Sequence, residues 1–261
     1  MTTIAPALER PRVRAPRPVL LAIAAGWALA VTAELTGTAE TFHHDTLIEG
    51  GSAWAALLFL LAWQAMVAAM MLPSALPLIR LFDAVSRNQE RPGLARGAFL
   101  AGYGAVWTGF GALALLGDSA LHHTVDAIPW LSERPWFVAG GVLALAGAFQ
   151  FSDLKDQCLS KCRQPGPYLL AHYRRGPEAG FRLGFGHGLF CLGCCWALML
   201  VMFAVGVAVL WWMAALTAVM VYEKTGRHGR ALTPVVGIVL LGLAAITFAN
   251  LSWLPTPFPH G

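Results

Sequence analysis

Long apolar runs alternate along the chain with short stretches that hold almost all of its charge. A helix that crosses a membrane needs about 20 mostly apolar residues. Seven runs meet that length: 19–37, 53–79, 97–116, 136–153, 183–206, 206–222 and 233–251. The stretch 183–222 carries no charge and is too long for one helix, so it divides near Gly206. The pattern predicts an all-α fold, a polytopic transmembrane helix bundle of about seven spans. Residues 1–18 then form a disordered basic cytoplasmic tail, 19–251 the bundle, and 252–261 an extracytoplasmic tail whose prolines cannot continue a helix.

The basic residues orient this bundle. With the N-terminus inside, the inner segments hold Arg10, Arg12, Arg14 and Arg17, then Arg80, Arg87, Arg91 and Arg96. They also hold Lys155, Lys161, Arg163, Arg174, Arg175 and Arg182, and finally Lys224, Arg227 and Arg230. Of the 18 basic residues only Arg134 falls outside, as an N-in/C-out bundle requires.

Composition agrees. The chain is 57% hydrophobic and 12% charged, whereas soluble domains are roughly a quarter charged. The net charge of +4 therefore reflects arginines at membrane ends and gives no sign of a nucleic-acid partner. The partner implied is the lipid bilayer. The apolar run after the basic start is too long for the core of a cleavable signal peptide. Pro73 and Pro77, near the inner end of the second run, each leave the carbonyl four residues back without its helical donor. The expectation is a kink there; a sharper alternative is a freed carbonyl facing an ion.

The chemistry is concentrated in HGLFCLGCCWALMLVM, residues 187–202. On a helix, His187, Cys191, Cys194 and Cys195 fall on one stripe. Cys158 and Cys162, in LKDQCLSKCRQP, share a face just after the fourth run and reach the same inner half of the bundle. Structural disulfides explain these five cysteines poorly, because the inner side is reducing and the number is odd. Thiolates select Cu(I), zinc or iron–sulfur clusters, and the spacings are not those of a cluster. The six residues are candidate ligands for a transition metal ion, copper preferred and zinc the alternative. Met70, Met71 and Met199 are candidate soft ligands beside them, although such methionines more often only fill a core.

A second group lies on the outer side. His43 and His44 in one connection, and Asp118, His122 and His123 in another, combine imidazole with carboxylate and form a candidate outer metal site. Glu34 is the one acidic residue that the runs place inside a span.

MMLPSALP, GYGAVWTGF, LKDQCLSKCR and GFGHGLFCLGCCWALMLVMFAVGV together resemble the bacterial family catalogued as domain of unknown function 2182, described as predicted metal-binding integral membrane proteins. The resemblance covers roughly residues 20–250. It implies a multi-pass protein of the bacterial inner membrane and points to Cys158, Cys162, Cys191, Cys194 and Cys195. The function expected is binding of a thiophilic metal, in transport or in delivery through a metal chaperone or a membrane-complex partner. Two alternatives stand beside it. One is a membrane thiol oxidoreductase, the other an assembly subunit whose cysteines pack. No Walker, dinucleotide-binding or hydrolytic motif is visible, so no catalytic residue is assigned.

Overall fold

The computed structural model describes residues 15–37, 53–205 and 210–249. Among the described residues the secondary structure is entirely helical. In chain order the helices are α1 (Arg17–Leu35), α2 (Ala53–Met70), α3 (Leu72–Ser86), α4 (Pro92–Ala127), α5 (Pro129–Ser132) and α6 (Pro135–Phe149). They continue with α7 (Asp153–Cys162), α8 (Pro165–His172), α9 (Pro177–Val205), α10 (Leu210–Thr225) and α11 (Gly229–Ala249).

By length and composition α1, α4, α9 and α11 can each cross a membrane. Two further spans arise if the bent pairs α2–α3 and α6–α7 each count as one, with bends of 71° and 66°. The described helices thus supply four to six spans. The run 206–222 is the one that falls short: its described helix, α10, has 16 residues. The division near Gly206 lies at 206–209, outside the described residues. The two tails also lie largely outside them.

The first bend has a sequence cause. Pro73 cannot donate to the carbonyl of Ala69, so that oxygen is orphaned. The indole N–H of Trp27 on α1 donates to it at 3.1 Å. The freed carbonyl thus ties α1 to α2. The second bend follows Gln150, and Ser152 restarts the chain as α7. Its hydroxyl caps the new helix by accepting from the backbone N–H of Lys155 at 3.2 Å. Asp153 and Asp156 in the first turn suit the positive end of the helix dipole.

The centre of the molecule is the crossing of α4 and α9, the most extensive helix–helix contact among the described residues. Gly180, Gly184 and Gly188 recur every fourth residue on α9 and form one side-chain-free ridge. It lies against the backbone of Ala95, Phe99 and Tyr103 on α4. Gly102 answers from α4, against the backbone of Phe181 and Phe185. A Cβ on Gly184 would meet the Phe99 carbonyl carbon at 2.8 Å and its oxygen closer still. Gly184→Ala should therefore push the helices apart and destabilise the fold by about 1–3 kcal/mol, the usual cost of overpacking. Thermal unfolding of the detergent-purified protein measures this. Gly109→Ala, where an added Cβ meets nothing within 4 Å, is the control and should leave the unfolding temperature unchanged or slightly raised.

Candidate metal-binding site

Helices α4, α7 and α10 together cover the cysteine stripe of α9. Cys191, Cys194 and Cys195 are all inaccessible to solvent, and Cys162 nearly so. Cys162 arrives from α7, and its sulfur lies 3.9 Å from that of Cys194. The Cys194 and Cys195 sulfurs are 3.5 Å apart. Cys191 follows one turn back from Cys195 on the same face of α9. The sulfurs therefore run as a string, Cys162, Cys194, Cys195, Cys191, joining two helices. Cys158 stands beside it, half-buried over Gly193, where a Cβ would collide with its sulfur at 2.5 Å. The absence of a side chain at 193 is what lets α7 approach.

One end of the string is polar. The Cys191 sulfur lies 3.0 Å from the Tyr103 hydroxyl and accepts from the Lys224 ammonium at 2.9 Å. Lys224 also donates to the Ser74 hydroxyl at 3.0 Å. This lysine is 6% exposed, Lys155 is 0% exposed and Glu223 is 1% exposed. Lys155 and Glu223 form an ion pair at 2.8 Å between α7 and α10. Arg163, just past the end of α7, donates to the backbone carbonyls of Glu223 and Gly226, the second at 3.0 Å. The Glu223 carbonyl belongs to the last turn of α10, and Gly226 lies just past it, its carbonyl also accepting from the Gly229 N–H at 3.2 Å; a cation is favoured at such a helix end. These contacts lock the end of α10 against α7 and deliver Lys224 to the thiols.

The basic residues assigned to the inner side do not all lie at the surface. Lys155 and Lys224 are interior residues, not surface charges. Glu34 is exposed on α1, itself a helix able to cross a membrane, and among the described acidic residues the buried one is Glu223. Charge near the end of an apolar run looks superficial in a sequence. Here the cross-helix partners, 68 and 150 residues away, take it inside.

The other candidate ligands fare differently. His187 is 4% exposed, with its ring 5.9 Å from that of Tyr103 and 6.0 Å from that of Tyr168. Its described contacts are aromatic. The Tyr168 hydroxyl donates to the Leu183 carbonyl at 3.3 Å, and burial, aided by Cys162, pushes this phenol up to about 12. Met70, Met71 and Met199 are fully buried in the core. On the outer side, His43 and His44 lie outside the described residues, and Asp118, His122 and His123 sit on the last turns of α4.

Among the described residues, no group of three or more His, Cys, Asp or Glu side chains is disposed to hold one metal ion. A tetrahedral zinc site, with four donors about 2.3 Å from one point, is thus not assembled. Pairs of sulfurs are another matter. The Cys194–Cys195 and Cys162–Cys194 sulfurs, 3.5 and 3.9 Å apart, are each close enough for one ion to touch both. Two thiolates suffice for Cu(I), a soft ion that accepts low coordination. The donor set fits it.

A family model described as copper chaperone, PpoB2, matches residues 60–247. The chain belongs to this copper chaperone family. The match spans α2 to α11 and so takes in all five cysteines, both interior lysines and Glu223. It supports the metal-related expectation and ties the chain to copper. No curated protein and no solved structure matches the chain.

Proposed function

We propose that this copper chaperone family member is a multi-pass protein of the bacterial inner membrane that accepts Cu(I) as cargo on buried thiols. Cys162 and Cys194 form the primary pair, Cys195 extends it, and Cys158 and Cys191 flank it. The 3.9 Å approach of the Cys162 and Cys194 sulfurs, from two different helices, carries the reading. A soft monovalent ion is matched by soft donors. A string of sulfurs, unlike a closed cage, lets the ion pass from one thiol to the next and on to a partner. That partner is a second copper-binding protein or the complex that receives the metal. In an N-in/C-out arrangement of seven spans, α7 and the loops flanking it face the cytoplasm, where thiols stay reduced.

Reduced, detergent-purified protein titrated with Cu(I) without oxygen, against a chromogenic chelator, should bind one equivalent. The same protein with its cysteines alkylated should bind none. Zinc bound at the same stoichiometry while Cu(I) is refused would transfer the site to zinc. Failure to bind either ion, with Cys162 and Cys194 recovered as a disulfide, would replace the proposal with a thiol oxidoreductase.

A further inference from the structure

Lys224 is a buried ammonium with no carboxylate partner among the described residues. Its three N–H donors have two described acceptors, the Cys191 sulfur and the Ser74 hydroxyl. The acid next to it in sequence, Glu223, turns to Lys155. What surrounds Lys224 instead is sulfur: Cys191, Cys194, Cys195 and Cys162 all lie within electrostatic reach. A cation sunk among apolar helices is costly unless an anion compensates it. Protonated thiols carry no charge to do so.

Copper binding would supply that anion. Two cysteine thiols and Cu⁺ give a dithiolate complex of net charge −1 and release two protons to solvent; no electron is transferred. We infer that Lys224 is the counter-cation of this anionic Cu(I)–dithiolate complex and sets the site's preference for a monovalent over a divalent ion. The inference rests on the Cu(I) reading above. With Lys224 in place, Cu⁺ on two thiolates closes the local charge to zero. Zn²⁺ on the same two thiolates is already neutral, and it leaves the ammonium uncompensated. The lysine also sits at the Cys191 end of the string, away from the Cys162–Cys194 pair, so it can balance the complex without occupying its place.

The test uses the full reduced chain in detergent, with Cu(I) and Zn(II) affinities measured by chelator competition. Lys224→Met should weaken Cu(I) about a hundredfold, in line with the loss of a buried charge partner. Zn(II) affinity should change less than about threefold, so the preference between the ions shifts. Lys224→Gln, run beside it, keeps a hydrogen-bonding head without the charge and should show the same loss even if the methionine variant does not fold. Lys224→Arg should retain Cu(I) binding within about tenfold. Ser74→Ala, which keeps the charge and removes one acceptor, should stay near wild type. Cu(I) affinity unchanged or raised in Lys224→Met and Lys224→Gln would overturn the inference and make the lysine a plug that metal must displace. An equal loss in Ser74→Ala would also overturn it, since the network and not the charge would then matter. Wild-type protein that takes up no Cu(I) removes the reading beneath and the inference with it; wild type that binds beside unaffected lysine variants removes the inference alone.

Discussion

Glu223→Gln should destabilise the protein by about 3–5 kcal/mol, the usual cost of removing one partner from a buried ion pair. Glu223 and Lys155 meet at 2.8 Å with almost no exposure on either side. The substitution keeps the shape and removes the charge, so the Lys155 ammonium is left buried and unpaired. A falling unfolding temperature in detergent reports the loss. Adding Lys155→Met to the same chain should recover most of it, because the pair as a whole is worth far less than the penalty for breaking it. The exposed pair of Arg182 and Glu178, at 2.6 Å on α9, supplies the contrast. Glu178→Gln should leave the unfolding temperature where it was, since solvent screens an exposed pair. If Glu223→Gln behaved like Glu178→Gln, the tie between α7 and α10 would not be what holds them.

That tie was not legible in the sequence. Hydropathy finds helices well, because burial or membrane contact imposes the same apolar runs on any chain. It located α1, α4, α9 and α11, and the glycines recurring every fourth residue on α9 were there to be read. The prolines announced a bend at Met71, but the use made of the freed Ala69 carbonyl depended on Trp27, 42 residues away in the chain. Periodicity also placed Cys191, Cys194 and Cys195 on one face and Cys158 with Cys162 on another, and both faces meet in the structure. Pairing between helices is where one sequence runs out. Nothing local distinguishes Lys155 and Lys224 from Lys161, which lies on the same surface-seeking stretch as Lys155 and stays exposed. The acidic partner of Lys155, the hydroxyl of Ser74 and the phenol of Tyr103 all come from other helices. The two tyrosine rings beside His187, Tyr103 and Tyr168, likewise come from other helices.

The order of the sulfurs along the string predicts an order of effects. Cys194 is central, with Cys162 at 3.9 Å on one side and Cys195 at 3.5 Å on the other. Cys194→Ser should weaken Cu(I) about a thousandfold, roughly 4 kcal/mol, because it removes a donor from the primary Cys162–Cys194 pair and from its Cys195 extension at once. A hydroxyl oxygen in its place is a hard donor and does not compensate. Cys162→Ser should approach this loss, since it leaves only donors from α9. Cys158→Ser should cost less than about tenfold, because that thiol is half-buried over Gly193, to one side of the string. Chelator competition on the three reduced variants separates these cases, and the thermal unfolding curve shows whether each has kept its fold. Cys194 has no charge to balance and opens little space when its sulfur becomes oxygen, so its loss should appear in the affinity far more than in the stability. Equal affinities for all three variants would mean that no one pair of sulfurs holds the ion. A ranking with Cys158 above Cys194 would move the cargo out of the buried string to the half-buried edge of α7.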